Sequence, residues 1–309
     1  APNISELYAQ PLALLPNVND PVLHTQTLVP SVTGGNPHLV PETANTTTFG
    51  VVIDPDSLPG FQLSVDYYRI RISNVIDSIL PQEVVNLCTA GNRSLCQDVV
   101  RDSSGALQRI FSGLTNLATL DTEGIDIVMD YQLPLSRIST ALPGAVDLRV
   151  DATNVRKLLE SDPATGLSVD RSNSPDEIAQ GSGAGNAESA PKWQLNAVLT
   201  YTFGPLSVTG QERWVSAGRF DPTSYGPGEA GYNPSLPTSI NNNHVDASYY
   251  TKLGAEFTVR PKTGGSLQFF AVVDNLFDQA PPPLLYAVYA GTYHDLVGRT
   301  VRVGARYKY

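Results

Sequence analysis

Between Lys192 and Phe203 the chain alternates with a period of two. Trp193, Leu195, Ala197, Leu199, Tyr201 and Phe203 fall on one face, and Lys192, Gln194, Asn196, Thr200 and Thr202 on the other. Successive side chains of a strand point to opposite sides, so this pattern dictates a β-strand with one apolar and one polar face. The apolar face is itself sorted, with aromatics at both ends and aliphatics in the middle. Rings with polar handles favour the level of lipid headgroups while aliphatic chains favour the hydrocarbon between them. A sandwich core gives no reason for that sorting. Gly204-Pro205 then makes a tight turn, and Leu206 to Ala217 runs back with Leu206, Val208 and Trp214 on one face and Glu212 interrupting it.

Composition sets the limits of this reading. Thirty acidic against 20 basic residues leave a net charge of -10 on 309 residues, which argues against a nucleic-acid partner because phosphate neutralisation needs clustered base. No window approaches a transmembrane helix, and the first residues carry no basic-then-apolar leader. A β-barrel span escapes that test, since its signal is spread over segments of about ten alternating residues. Pro 24, Gly 25 and Met 1 predict many turns and few good helices, so the chain reads as all-β. Cys88 and Cys96 lie in a polar loop, and a disulfide between them implies an oxidising compartment. They are half a tetrahedral metal set without a nearby histidine.

In chain order, residues 1–42 show no lasting period and many breakers, from Pro2 to Pro41, which predicts a long loop and no domain. Thr47 to Asp54 alternates, and after a breaker at 55–60 so does Phe61 to Tyr67. There the phase slips, because Tyr68, Ile70 and Ile72 become the apolar set and Arg69 and Arg71 the polar one. Either a β-bulge or the point where a strand leaves the membrane lies near Tyr67 and Tyr68. Further strands are expected over Gly124 to Leu133, Val146 to Asn154, Val245 to Val259, Leu267 to Val273 and Val301 to Tyr309, with a short helix near Pro81 to Leu87. Connections alternate between short (55–60, 134–144, 204–205, 261–265) and long (75–115, 158–190, 218–243, 276–297). Outer-membrane barrels have this asymmetry, with short periplasmic turns and long external loops.

The ending Gly304-Ala305-Arg306-Tyr307-Lys308-Tyr309 resembles the C-terminal signal that outer-membrane barrels present to their assembly machinery, with Gly304, Tyr307 and Tyr309 as its members. Four further stretches resemble, in their order and roughly in their spacing, the C-terminal barrel of TonB-dependent outer-membrane receptors: Ala1 to Tyr8, Val40-Pro41-Glu42-Thr43, Leu120 to Asp126 and Asp274-Asn275-Leu276-Phe277-Asp278. Each motif is weak alone, and the five together carry the resemblance over nearly the whole chain. It implies part, about nine antiparallel strands, of a 22-stranded up-and-down transmembrane barrel with long external loops. Residues 1–42 are then an external loop and 43–309 the C-terminal part of the barrel. The implied function is capture of a scarce substrate and its import across the outer membrane of a Gram-negative bacterium with energy relayed by TonB. Plug, TonB-contacting box and N-terminal strands are expected outside this chain, in the same or a separate polypeptide. An open sheet in lipid would expose unpaired backbone groups, so Thr47 to Asp54 and Val301 to Tyr309 are expected to pair with those strands. TonB through the plug, the assembly machinery and outer-membrane lipid are the implied partners.

No catalytic constellation, metal set or cofactor motif emerges, which points away from an enzyme. His24, His38, His244 and His294 all lie in expected loops, without a second ligand at metal spacing. Asp274-Asn275 and Asp54-Pro55-Asp56 read as turn residues, and Gly181 to Asn186 as a linker without the Lys-Ser/Thr of a phosphate loop. Charged residues on the polar strand faces, among them Asp126, Asp130, Asp147, Arg149, Asp151, Lys252, Glu256, Arg302 and Arg306, suit a wet interior contacting a plug or lining a substrate path. Loop aromatics Tyr8, Phe220, Tyr225, Tyr232, Tyr286, Tyr289 and Tyr293 are the candidate substrate-binding residues, because rings with polar handles capture sugars, aromatic compounds or chelates. Two alternatives stay open: a passive pore or structural outer-membrane protein, and a secreted soluble all-β binding module.

Overall fold

The computed structural model describes residues 1–162, 166–174, 189–236, 238–261, 264–282 and 293–309. Its main sheet contains nine strands in strict sequence order: β1 (Thr43–Ile53), β2 (Phe61–Ser78), β3 (Leu114–Pro134), β4 (Ala145–Asp162), β5 (Trp193–Phe203), β6 (Leu206–Val215), β7 (Ser248–Val259), β8 (Ser266–Asp274) and β9 (Thr300–Lys308). Each pairs antiparallel with the next. A short strand, Leu167–Asp170, folds back on the far end of β4. The turns join β1 to β2, β3 to β4, β5 to β6 and β7 to β8 at one end, and the long connections all leave from the other.

Register carries one apolar face across the sheet. Leu63, Val65, Ile127, Met129, Leu148, Val150, Leu195, Leu199, Val208, Leu253, Ala255, Ala271, Val273, Val301 and Val303 share it. Rings mark its borders. Phe61 meets Tyr131 edge-on at 6.1 Å near the turn end, and Trp214 lies 6.4 Å from Tyr249 near the loop end. The ten steps from Trp193 to Phe203 span about 34 Å of strand; at a tilt of about 40° that is roughly 26 Å, the height of a barrel's apolar band. Many of these side chains are exposed, Leu199 at 49% and Val303 at 75%, so much of the apolar face is left uncovered by the described residues.

The phase change near Tyr67 has a chemical origin. The β2–β3 ladder runs unbroken from Phe61 through Ile72, and its register shifts only between Ile72 and Ile76. There is therefore no bulge at Tyr67 and Tyr68. The same face simply passes from Phe61, Leu63, Val65 and Tyr67 to Arg69 and Arg71, as a strand does when it leaves hydrocarbon. Beyond that level the ladder continues, so β3 begins at Leu114 rather than Gly124 and β4 runs to Asp162 rather than Asn154. Backbone pairing there needs no alternating side chains, and the sequence shows none.

Residues 1–42 and 79–113 build a small body at the loop end. It holds the helix Ile4–Tyr8, closed by a capping box between Asn3 and Glu6, a sheet of Leu12–Leu14, Ser31–Thr33, Leu107–Phe111 and Val99–Arg101, and a hairpin of Asn17–Asp20 with Thr25–Leu28. The expected helix forms over Pro81–Thr89, with Pro81 at its first turn, where a missing N–H costs nothing. Val18, Val29, Ile79, Val84, Val85, Leu95, Leu107 and Ile110 pack into a core. The Cys88–Cys96 disulfide joins this helix to the turn Arg93–Cys96. Thus the stretch expected to be a loop without a domain supplies half of a packed subdomain. Strands of three or four residues between prolines leave no period to read.

Candidate functional site

The polar face of the sheet is wired by rungs between neighbouring strands. On β2 to β4, Arg149 bridges Asp130 at 3.2 Å and Asp151 at 2.8 Å, and Thr153 donates to Asp126 at 2.7 Å. Asp66 and Asp147 share this face through the register, so the wall here is acidic with a single arginine set into it. From β6 to β9 the sign reverses. Arg213, Lys252, Arg302, Arg306 and Lys308 outnumber Glu256 and Asp274 on the same face.

The basic half encloses a hollow of about 500 Å³ lined by Gln211, Arg213, Tyr250, Lys252, Asp274, Asn275 and residues 294–297. Asp274 is the hinge of its electrostatics, meeting Lys252 at 3.0 Å and Arg302 at 2.7 Å. The guanidinium of Arg213 stands 5.0 Å over the Tyr250 ring, a cation–π contact that holds the charge on the wall. His294 closes the upper rim. It is buried, with Nδ1 2.9 Å from the Ser248 hydroxyl and 3.4 Å from that of Tyr250. Although it lies in an expected loop, its ring is turned in against the strand face. A buried imidazole needs polar partners, and Ser248 and Tyr250 alternate correctly along β7 to provide them. Arg213 and Lys252 can hold an anion in the hollow by charge-assisted hydrogen bonds, with bidentate geometry available from the Arg213 fork.

The loop aromatics divide. Tyr8 ends the first helix and is 68% exposed. Phe220, Tyr225 and Tyr232 belong to the connection between β6 and β7, which is folded on itself. Tyr225 exchanges backbone hydrogen bonds with Thr238 and Ile240 and packs over Gly231. Tyr232 donates to Asn241 at 3.4 Å, and Phe220 bonds the Asn243 backbone. Tyr293 lies against the wall, its hydroxyl on the Ser189 carbonyl at 3.2 Å and its carbonyl accepting from Arg213 at 3.4 Å. Tyr286, Tyr289 and the Gly181 to Asn186 run lie outside the described residues. The structure thus brings Tyr293 to the hollow and leaves Tyr8 apart from it. Of the residues that make the hollow, Arg213 and Tyr250 were hidden in the sequence as ordinary members of strands, and Asp274, read as a turn residue, is the last residue of β8.

At the end of the chain Tyr307 points to the apolar face, 5.1 Å from the Tyr309 ring. Gly304 sits opposite Phe270, and a Cβ there would lie 2.7 Å from that ring, whose other contact is Arg306 at 4.7 Å. Among the described residues no group of three or more His, Cys, Asp or Glu could hold a metal ion.

A sequence search of characterised proteins finds no match. By structure, the chain resembles the ferric enterobactin receptor of Pseudomonas aeruginosa bound to enterobactin (TM-score 0.59, 19% identity, covering 99% of this chain and 36% of that one). It resembles the siderophore receptor PirA of Acinetobacter baumannii similarly (TM-score 0.60, 14% identity, 100% and 37%), and the FrpB iron transporter of Neisseria meningitidis less closely (TM-score 0.51, 15% identity, 89% and 32%). The chain therefore spans about a third of the length of these structures, and at such identities the likeness speaks for the fold. The model of the TonB dependent receptor-like β-barrel matches residues 1–276, and this chain belongs to that family.

Proposed function

We propose that the chain is the C-terminal barrel wall of a receptor that captures a scarce anionic substrate at the cell surface and imports it across the outer membrane with energy relayed by TonB. The observation that supports this reading is the hollow on the polar face just below the long connections, where Arg213 and Lys252 stand with Asp274 and Asp295, on a wall that carries more cations than carboxylates from β6 to β9. A sheet of this family faces lipid with its apolar side, so the polar side lines the lumen. The excess of cations on that face of β6 to β9 steers and holds an anion. The similarity to receptors named for ferric enterobactin and other siderophores supports a ferric siderophore as the substrate class. In this reading the plug and the remaining strands come from the rest of the receptor, TonB acts through the plug, and Gly304, Tyr307 and Tyr309 address the chain to the assembly machinery. The protein performs no catalysis, and a passive pore is the lesser alternative.

The test is uptake of radiolabelled ferric siderophores by cells carrying the complete receptor. Saturable uptake that stops when TonB is removed supports the proposal, and replacing Arg213 or Arg302 by Ala then weakens substrate binding about ten-fold each, the size of a charge-assisted hydrogen bond. Uptake indifferent to TonB, together with steady ion conductance of the purified protein in a planar bilayer, would establish the pore instead.

A further inference from the structure

Immediately above the apolar band, the lipid side of β2, β3 and β4 changes to a cluster of charges. Arg69 and Arg71 follow Tyr67 on that face of β2, and Glu123 and Asp121 follow Ile125 on β3. On β4 a register shift between Val155 and Lys157 inserts Arg156 as an extra residue. A regular strand would send neighbours to opposite sides, but this bulge delivers two consecutive cations to one side, with Lys157 2.8 Å from Asp121 and Arg156 3.9 Å from Glu123. Arg69 reaches Asp121 at 2.7 Å and Arg71 the same carboxylate at 3.5 Å. Tyr67 donates to Glu123 at 3.3 Å.

Four cations thus surround two carboxylates. Arg69 and Lys157 occupy Asp121. Arg71 and Arg156 make the longer contacts and are the most open, with side chains 59% and 54% exposed. Two residues of strand separate Arg69 from Tyr67, about 7 Å, so the guanidinium groups stand at headgroup height directly above Leu63, Val65, Ile127 and Met129. Only an amphiphile with an anionic head matches both parts of this surface. Guanidinium forks favour phosphate oxygens.

We propose that Arg69, Arg71, Arg156 and Lys157 form an external docking site for the phosphate-bearing headgroup of a membrane lipid, whose acyl chains lie along the apolar face of β2 to β4. The site is on the opposite side of the wall from the substrate hollow and does not depend on the identity of the substrate. Arg71 and Arg156 supply the binding charge, and the Arg69–Asp121–Lys157 clamp holds the three strands together beneath it.

The experiment is native mass spectrometry of the complete receptor in detergent, titrated with diphosphorylated lipid A and with the same lipid after removal of its phosphates. The wild type retains the phosphorylated lipid and releases the dephosphorylated one, a comparison that needs no variant. The double variant R71Q/R156Q spares the clamp, so it keeps the wild-type melting temperature while its affinity falls about twenty-five-fold, roughly five-fold for each cation near an anionic surface. Equal retention of the two lipids overturns the proposal, as does an unchanged affinity in R71Q/R156Q. Displacement of the lipid by millimolar inorganic phosphate overturns it too, because that would be a site for a free anion.

Discussion

Asp20 shows what one buried carboxylate does in the subdomain at the loop end. Its side chain is 1% exposed and is gripped by Arg101 at 2.6 and 2.9 Å, while Arg101 also donates to the Gly105 carbonyl at 2.7 Å. The Arg101 hydrogen bonds hold the Asp20 carboxyl below its usual range against the opposing cost of burial. A carboxylate depressed in the folded state contributes stability that is complete above the unfolded value, near 4, and is lost as pH falls through the lower folded value. Protection of the subdomain's amides against hydrogen exchange, taken relative to the intrinsic rate at each pH, is therefore expected to stay flat from pH 7 to 5 and to fall below about pH 4. Asp20→Asn leaves the half-buried Arg101 without its counter-charge and is expected to cost about 3 kcal/mol at pH 7, a loss that chemical denaturation of the subdomain would measure. In that variant the acid step from this group disappears; a step of unchanged size would remove Asp20 as its cause. Neither Asp20 nor Arg101 stood out in the sequence, because 81 residues separate them. His294 was obscure for the same reason, its partners Ser248 and Tyr250 lying more than forty residues earlier.

Strands were legible wherever the two sides of the wall meet different solvents. β5 was read from Lys192 to Phe203, one residue longer than the strand, since lipid outside and water inside impose strict alternation, and the connections alternate in length as expected. Beyond the band both sides meet water, alternation lapses, and the added lengths of β2, β3 and β4 could not be read. The expected break at Tyr67 shows how a change of environment imitates a change of geometry. At this scale Leu199 is the sharpest probe. It lies midway along the apolar face of β5, exposed at 49% and opposite Leu148 and Gly210. Leu199→Arg is expected to destabilise the folded receptor by about 3 kcal/mol, the cost of a cation at the middle of the band, whereas Thr200→Arg, one residue along and on the polar face, should cost much less. Urea unfolding in lipid vesicles compares them, and equal penalties would mean that the two faces are assigned wrongly. Gly304→Leu tests the polar face from within: the added side chain meets the Phe270 ring, and an overpacking loss of about 2 kcal/mol is expected in the same assay.

At the scale of the molecule, the nine strands leave a question of closure. All eleven residues of β1 are exposed, and most of β9 is as well, so each outer edge presents a row of backbone donors and acceptors. Water satisfies such groups; hydrocarbon does not, at several kcal/mol for each one left unpaired. The apolar face adds a second constraint, because Phe49, Val51 and Ile53 on β1 and Val301 and Val303 on β9 remain open, which suits lipid and promotes aggregation in water. A sheet with those two properties is stable only when further strands join β1 to β9 around a lumen. Expressed alone and refolded into detergent, these 309 residues are therefore expected to give aggregates or loosely structured species that run as the unfolded chain in unheated electrophoresis. Refolded together with the rest of the receptor, they should give one compact, heat-modifiable species in which backbone amides of β1 and β9 exchange as slowly as those of β5. A compact, heat-modifiable barrel formed by the chain alone would show that these nine strands close on each other. Slow exchange in β5 with fast exchange in β1 and β9 of the reconstituted receptor would show that the edges stay open.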